Sequence, residues 1–456
     1  MKISFITPSR NNRKYLEWSY ASIRKNQGNH TVEICIADDA STDGTWEWCQ
    51  EKLIIDSNFK CIRNQGPSRK GHTVLYDELI LNVASYELVM IMHADMYLCP
   101  GALDEVEKLM FDIEIAKEPG HDKGLIVISK HKTIASLTRI EPPLHPPGPE
   151  KILADFGTEP EEFNEDKFLE WYDNIGFQEH YVFNNEDKFI AENGYSHGVF
   201  APWTCFKKDF LDIGGHDQIY RPQSAEDSSI FNRFKLNGCK FIQTRIGHVY
   251  HMTCRGNRRS VLDGAPDIYT DNPEWSKHSI NSHRTFCRMW GCNVRHDKYM
   301  EPIIPHKYNI GIVLKNCNLE LIKLLEPYCD DLYLTDTSTG AINVAAKTHN
   351  EYIKYEQPNT FFDLSKRVHY LYNLDNLQGD IIVYIDSKTF NQNDLMTIYH
   401  LSEILDVNLN DQIGRFEIGN IIIDVRRIEY YENHLIHSNN SYLQSKLLDG
   451  EFNHIT

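Results

Sequence analysis

The chain has 456 residues, 41% of them hydrophobic, which is enough to bury the cores of two or three globular domains. Its 47 basic and 65 acidic residues give a formal net charge of −18, so we expect no strong nucleic-acid binding, because phosphate neutralisation requires lysine and arginine. The 11 cysteines include no Cys-x-x-Cys pair, which favours reduced thiols over a disulfide framework or a zinc site. The first residues are already strand-like and no apolar run approaches the roughly 20 residues that span a bilayer, so we expect a cytoplasmic protein without signal peptide or transmembrane segment.

Strands and helices alternate through the first hundred residues. The predicted strands are KISFITPS, TVEICIADD, FKCIRNQG and YELVMIMHAD, and the predicted helices between them are RKYLEWSYASIRKNQ, TWEWCQEKLI and GHTVLYDELILNVA. This alternation predicts a parallel sheet built from βαβ units, and such sheets bind ligands beyond the carboxyl ends of their strands. Three strands end in polar groups, so we expect 7–10, 38–39 and 93–95 to lie along one edge.

The middle of the chain interrupts this pattern. The proline-dense stretch EPPLHPPGP, at 141–149, opens an acidic and aromatic insertion that continues to about 194. A helix is predicted in AEDSSIFNRFKLNG, a strand in KFIQTR and a basic turn in RGNRRS.

A linker is predicted around 301–308, which gives one domain over 1–300 and a smaller α/β domain over 305–456. The stretches LYLTDTSTGAINVA and IIVYIDSKTFNQNDL echo CIADDASTDGTWEW and LVMIMHADMYLCPGAL. The C-terminal domain is therefore either a degenerate repeat of the first or simply another doubly wound domain.

Five motifs occur in order over roughly residues 1–260: ITPSRNN, ADDASTDGT, HADMYLCPGAL, GGHDQIY followed by AEDSSIFNR, and GHVYH. Together they resemble family 2 glycosyltransferases of the GT-A fold. The resemblance implies a Rossmann-like mixed sheet flanked by helices. It also implies metal-dependent, inverting transfer of a sugar from a nucleotide-sugar donor, here expected to be UDP-linked, to a hydroxyl of a glycan, a protein or another acceptor.

The resemblance also assigns the sugar-donor site. It implies donor contacts from Thr7, Pro8, Ser9, Arg10, Asp38, Asp39, Arg69, Ala94, Arg255 and Arg258. Asp39 would accept a hydrogen bond from the nucleobase and Asp38 would support it; the local alternative is that STDGT merely turns and caps into a helix at Thr45. The arginines would clamp the diphosphate, or else form a solvated basic turn.

Metal and catalytic roles follow from the same resemblance. Asp95 matches the metal-binding residue of the family's Asp-x-Asp motif, whose first acid is replaced by His93, and His251 or His248 would be a further ligand of Mn²⁺ or Mg²⁺. Asp227 matches the catalytic base and Glu226 would bind acceptor hydroxyls; ordinary first-turn acids are the alternative. Trp203 and His197 would line the acceptor pocket, although a tryptophan is as often plain core. The insertion over 141–194 would lie on the acceptor side.

Two other functions stay open on sequence alone. One is a pseudoenzyme that binds a sugar nucleotide or glycan without turnover, which the histidine at position 93 keeps in view. The other is a nucleotidyltransferase on a related sheet, which would have less use for a Glu-Asp pair at a helix start. A homo-oligomer is compatible with any of these functions.

Overall fold

The computed structural model describes residues 1–111, 114–117, 125–127, 132–174, 182–183, 187–188, 194–256, 258–335, 342–371, 375–408 and 412–438. The chain forms two compact units. The first comprises Met1–His278, His296–Ile303 and the segment from His437, and the second comprises Ser279–Arg295 and Ile304–Ile436. The division between Ile303 and Ile304 falls inside the predicted linker, whereas the short segments that change unit were not predicted.

The first unit contains the N-terminal sheet and the helices that cover it. Its strands are β1 (Lys2–Ser9), β2 (Thr31–Asp39), β3 (Phe59–Asn64), β4 (Leu88–Ile91), β5 (Met96–Leu98), β6 (Glu114–Lys117), β7 (Leu125–Val127), β8 (Thr133–Glu141), β9 (Lys151–Leu153), β10 (Val182–Phe183), β11 (Asp187–Lys188), β12 (Tyr195–Ser196), β13 (Trp203–Phe206) and β14 (Lys240–His251). Its helices are α1 (Arg13–Asn26), α2 (Thr45–Ile55), α3 (His72–Asn82), α4 (Ala102–Phe111), α5 (Glu165–Asp173), α6 (Lys207–Asp212), α7 (Glu226–Leu236) and the start of α8 (Pro273–Trp290).

The main sheet has the order β3-β2-β1-β4-β13-β8-β14-β12, with β5 on β14 and β9 on β8. The first four strands are parallel, as the alternating sequence pattern predicts, and β13 runs antiparallel to both of its neighbours. β1 is buried from Ile3 to Ser9 except at Pro8, which is partly exposed. This near-continuous burial is typical of a parallel strand covered on both faces.

An aromatic cluster closes one side of this unit. Phe163 and Phe168, from the insertion predicted at 141–194, pack against Tyr97 of β5 and Tyr250 of β14 with ring centroids 5.1–5.8 Å apart. The described part of the insertion is therefore partly core, because its aromatic residues cover the strands that lead into the site described below.

The second unit has its own sheet and core. Its strands are β15 (Ile310–Lys315), β16 (Asp331–Thr335), β17 (Val368–Tyr370), β18 (Ile381–Asp386), β19 (Gly414–Ile418) and β20 (Ile421–Val425), and its helices are α9 (Leu319–Leu325), α10 (Ile342–Glu356), α11 (Gln392–Tyr399) and α12 (Leu401–Asn408). The sheet order is β17-β16-β15-β18-β20-β19. The expected α/β fold with a second, smaller α/β sheet is thus confirmed, and none of the helices in the described ranges is both long and apolar enough for a membrane crossing.

Candidate active site

Three polar segments meet at the carboxyl edge of the main sheet. β1 pairs with β2 so that Ser9 lies opposite Asp38, and it pairs with β4 so that Ile6 lies opposite Ile91. Because these strands are parallel, the residues that follow β4 continue along the same edge. The structure therefore brings 7–10, 38–39 and 93–95 together, where α/β sheets bind ligands.

A group of metal-ligating side chains lies at this edge. His93, Asp95 and His251 each offer one ligand atom, and these atoms lie within 4.8 Å of one another. The pairing of β5 with β14 sets His251 opposite Met96, the residue after Asp95, and His251 Nε2 lies 3.4 Å from Asp95 Oδ1. On the other side of the ring, Nδ1 of His251 lies 2.7 Å from Glu141 Oε1.

Charge in this group is distributed unevenly. Burial would raise the pKa of Asp95, but the nearby His251 and His93 hold it down at about 2. Burial would lower the pKa of His251, but Asp95 and Glu141 raise it to about 9. Burial lowers the pKa of His93 to about 4, so its imidazole is neutral at physiological pH.

One carboxylate and two imidazoles fit a divalent transition metal, and imidazole suits Mn²⁺ better than Mg²⁺. A carboxylate behind a ligating histidine fixes its ring and raises its basicity, which is the position that Glu141 has relative to His251. His93, Asp95 and His251 are therefore the residues that would hold the metal.

His248 is not brought to this group. It is three residues before His251 on β14, so its side chain lies on the opposite face of the strand. Its Nδ1 lies 3.0 Å from the hydroxyl of Tyr172, in the aromatic cluster, and burial lowers its pKa to about 3. Of the two histidines expected as metal ligands, only His251 faces Asp95.

The two adjacent aspartates have different surroundings. Asp39 accepts hydrogen bonds from the backbone N–H groups of Lys70, at 2.9 Å, and Gly71, at 2.9 Å, and from Asn64 Nδ2 at 2.7 Å. Asp38 is fully buried, accepts from Ser41 N at 3.1 Å and lies 3.2 Å from Arg63 Nε. The local bonds at the start of α2 come instead from a third acid, Asp43, whose Oδ1 accepts from Thr45.

The loop after β1 supplies further groups. Arg10 donates to the backbone carbonyl of Asp39 at 2.7 Å and to Asp263 Oδ1 at 2.9 Å. Thr7 donates to the carbonyl of Met92 at 2.9 Å, so its hydroxyl ties β1 to the end of β4. Ser9 is buried, and its hydroxyl has no hydrogen-bond partner among the described residues.

Of the other expected donor residues, Ala94 is buried, Pro8 is partly exposed, and burial lowers the pKa of Arg69.

The guanidiniums of the two remaining arginines are already paired with carboxylates. Arg255 is buried and donates to Glu159 Oε1 at 3.1 Å, and Arg258 forms two 2.9 Å hydrogen bonds with Asp271. Both guanidiniums are thus paired with carboxylates of the chain itself, and their contact with a diphosphate stays a prediction. Only the backbone N–H of Arg255 faces the metal-ligating group, 3.3 Å from Asp95 Oδ2.

A second pair of acids lies at the start of α7. His72 Nε2, from the start of α3, lies 2.5 Å from Glu226 Oε1, while Asp227 is partly exposed. Burial raises the pKa of Glu226, but His72, a backbone hydrogen bond and His216 together lower it below its ordinary value, so Glu226 is ionised at neutral pH. Burial and the adjacent Glu226 carboxylate raise the pKa of Asp227 to about 6. A carboxylate that titrates near neutral pH is suited to take up a proton.

The two residues expected in the acceptor pocket have separate environments. Trp203 is fully buried in β13 and packs edge-on against Phe231 and Phe234, with centroids 5.8 and 5.7 Å away. This corrects the acceptor assignment of Trp203, because a ring covered on both faces cannot stack on a sugar. His197 is partly exposed, and its Nε2 lies 2.6 Å from Asp297 Oδ2.

Residues 4–136 match the family model of glycosyl transferase family 2. The expected resemblance to family 2 glycosyltransferases is thus shown for this N-terminal stretch. The match covers less than a third of the chain. No curated protein is significantly similar to the sequence.

Solved structures resemble the chain only distantly. S. aureus TarS 1–349 in complex with UDP is 13% identical over 95% of this chain and 99% of that one, with a TM-score of 0.39. GalNAc-T7 with UDP, GalNAc and Mn²⁺ is 12% identical, with 64% of this chain and 48% of that chain covered and a TM-score of 0.40, so the chain spans about half of its length. The mannosyltransferase PcManGT from Pyrobaculum calidifontis, in complex with GDP-Man and Mn²⁺, is 14% identical, with 62% and 63% covered and a TM-score of 0.36. Likenesses this weak carry nothing about the ligands of the glycosyltransferase domain.

Two residues of the site were missed by sequence reasoning. Glu141 ends β8, and it meets His251 only because β8 pairs with β14, whose residues come more than 100 positions later. His72 follows a glycine at the start of a helix, and this local sequence does not predict a functional residue. Neither contact leaves a local signal, since both depend on elements far apart in the chain.

Proposed function

We propose that this chain is a metal-dependent glycosyltransferase that moves a sugar from a nucleotide-sugar donor, UDP-linked, to an acceptor hydroxyl with inversion. The observation that carries this is the site formed by residues within the stretch that matches family 2 and by residues that follow it in the chain. A metal-ligating group, His93, Asp95 and His251, lies at the carboxyl edge of the same sheet as Asp39, and α7 supplies a carboxylate poised to accept a proton.

The chain's own residues support each part of the reaction. Asp39 has acceptor capacity beyond its three protein hydrogen bonds, because an ionised carboxylate offers about four lone-pair positions, and a uracil imide N–H would donate to it. His93, Asp95 and His251 would hold Mn²⁺, which when bound would neutralise charge on the departing diphosphate.

Transfer then needs one proton to be removed. The acceptor oxygen bonds to the anomeric carbon, the bond from that carbon to the nucleoside diphosphate breaks, and the diphosphate leaves with the electron pair. Asp227 takes the acceptor's hydroxyl proton, which its pKa of about 6 allows near neutral pH. Attack on the face opposite the leaving group inverts the anomeric centre.

UDP release from UDP-glucose, UDP-galactose, UDP-GlcNAc and UDP-GalNAc, with and without Mn²⁺, tests this function on the full chain. We expect metal-dependent release from at least one of them, lost in Asp95→Ala. Asp227→Asn should still bind UDP and Mn²⁺ but release UDP about 10²- to 10⁴-fold more slowly, because the proton acceptor is gone.

Asp166→Asn is the matched control, since Asp166 is an exposed acid in the first turn of α5 and should leave release unchanged. Normal release by Asp227→Asn would show that another group is the base. UDP binding by the wild type without any release would favour the pseudoenzyme, and the anomeric configuration of a transfer product, read by NMR, decides inversion.

A further inference from the structure

Helix α3 has no assigned role in the proposed reaction, yet its first residue touches the acid pair of α7. His72 Nε2 lies 2.5 Å from Glu226 Oε1, and the other oxygen, Oε2, is buried with no partner among the described residues. His72 is therefore the protein group that neutralises and orients Glu226, next to the carboxylate of Asp227.

The position of His72 is fixed from several sides. The two residues before it are held by Asp39, which accepts from the backbone N–H groups of Lys70 and Gly71. One turn along α3, the ring of Tyr76 packs edge-on against His72 at 5.8 Å and stacks on His216 at 5.4 Å. These contacts restrict the backbone and the ring of His72, so the fold itself positions His72 against Glu226.

Charge gives this contact a chemical consequence. Burial lowers the pKa of His72, but Glu226 and Asp227 together raise it, so the net direction is upward and favours an imidazolium beside the Glu226 carboxylate. The other titratable groups that act on the pair or on Asp227 are Arg69, Tyr76, His93, Arg139 and His216. Without the cation, the two adjacent carboxylates of Glu226 and Asp227 would share a proton more readily, because like charges in contact resist joint ionisation.

We propose that His72 is a positioning residue for catalysis: its ring fixes the carboxylate of Glu226 in place, and its positive charge beside the acid pair favours the deprotonated form of Asp227 at neutral pH. This role rests on the proposed function of Asp227 as the base. His72 itself touches neither substrate nor the reacting atoms.

The pH dependence of UDP release by the full chain tests this role, with whichever of the four UDP-sugars gives the highest rate. In His72→Gln we expect the acid limb of kcat/KM to move up by about 1 pH unit, because removal of the cation stabilises the protonated acid pair. At pH values below this limb, kcat/KM of His72→Gln should be about 10-fold lower than that of the wild type, and at high pH the two should become equal. His72→Lys restores a cation and should return the limb toward that of the wild type.

His434→Gln is the matched control, because His434 is exposed and lies in the second unit. An unchanged acid limb in His72→Gln overturns the role of His72, and so does an equal loss of rate at every pH without rescue by lysine, which would mark a purely structural residue.

A measurement without turnover separates this role from the proposed function. In an NMR titration of the histidine rings, we expect His72 of the wild type to titrate above its ordinary pKa of 6.5, and at lower pH in Glu226→Gln, where Asp227 alone opposes the effect of burial. If His72 and Glu226 titrate as a pair but the wild type releases no UDP, the proposed function is wrong, and the pair then has no role in catalysis. If UDP is released and His72 is insensitive to Glu226→Gln, only the role of His72 is overturned.

Discussion

At the scale of single residues, the imidazole of His251 lies between two carboxylates, one in the metal-ligating group and one that orients the ring. Asp95 faces it at 3.4 Å on the side of the metal-ligating group, and Glu141 holds the opposite ring nitrogen at 2.7 Å. Glu141 is itself paired with Arg139, at 3.1 Å. The ring orientation of His251 is therefore set before any ligand arrives, which makes Glu141 a determinant of metal affinity.

Glu141→Gln should weaken Mn²⁺ binding by about 10- to 100-fold, because the amide orients the imidazole less firmly and lowers its basicity. Titration of the full chain with Mn²⁺, followed by electron paramagnetic resonance of the free ion, measures this without a sugar donor. Glu150→Gln is the matched control, since Glu150 shares the partners Arg139 and Lys151 but has no contact with His251. Equal losses in the two variants would assign the effect to general electrostatics.

How much of the site the sequence could predict depends on the range of each contact. Asp38, Asp39 and Asp95 end or follow strands whose pattern is local, and the parallel order of those strands brings them to one edge. The burial of Trp203 was not predictable, because β13 joins the sheet between β4 and β8, two strands far from it in sequence.

At the scale of elements, α3 connects the sheet edge to α7, and Gly71 is the residue that allows this. Its backbone has φ +87° and ψ 154°, a conformation that is essentially restricted to glycine, and a Cβ would lie 2.6 Å from the backbone of Pro222. The segment around Pro222 leads into α7. The close approach of these two segments is what brings His72 within reach of Glu226.

Gly71→Ala should destabilise the first unit by about 1–3 kcal/mol and slow UDP release, because the backbone strain and the clash with Pro222 move the start of α3. Urea unfolding and the UDP-release assay check the two effects. Gly101→Ala is the control: its φ is also positive, at +73°, but a Cβ there meets nothing within 4 Å. If both variants lose the same stability and release rate, the packing of Gly71 on Pro222 has no special role.

Most strands and helices of the first hundred residues lie where the sequence predicts them, because each is marked by a local repeat of apolar residues between turn residues. β14 is longer than the predicted KFIQTR and runs to His251, since its second half gains pairing with β5 and β8. The echo stretch that begins at Leu332 continues beyond Thr335 into residues outside the described part of the chain, so Asp336 cannot be compared with Asp39.

At the scale of the whole molecule, the two sheets share a strand order. In each, the third, second, first and fourth strands lie side by side in parallel, and an antiparallel strand follows: β3-β2-β1-β4-β13 in one and β17-β16-β15-β18-β20 in the other. Asn11 and Asn316, just after the first strand of each, both have a left-handed backbone, with φ of 52° and 54°. These parallels support the proposal that the second unit is a degenerate GT-A-like repeat.

The second unit lacks the chemical groups of the first within its described residues. No helix there opens with a Glu-Asp pair, and no group of metal-ligating side chains lies at the ends of β15 and β18. We therefore propose that it is catalytically silent and serves acceptor binding or assembly.

The core of the second unit is held by a buried ion network that makes its stability depend on pH. Arg288 and Glu326 are both buried, with Nη2 of the arginine 2.7 Å from Oε2 of the glutamate, and Arg367 and Tyr352 also donate to Glu326. Burial would raise the pKa of Glu326, but Arg288 and Arg367 lower it from 4.5 to about 2. A depressed folded-state pKa stabilises the unit above about pH 4.5, and this stabilisation is lost as the pH falls toward 2.

Glu326→Gln should therefore destabilise the second unit by about 3 kcal/mol at pH 7, and the difference from the wild type should shrink steadily below about pH 4.5. Trp290 is the only one of the seven tryptophans in this unit, so fluorine NMR of fluorotryptophan-labelled protein in urea reports its unfolding separately. Glu320→Gln, at an exposed ion pair with Lys323, should change stability by less than about 0.5 kcal/mol at any pH. A difference between Glu326→Gln and the wild type that stays constant from pH 7 to pH 3 would mean that the carboxylate acts through packing, because only an ionised side chain loses its contribution on protonation.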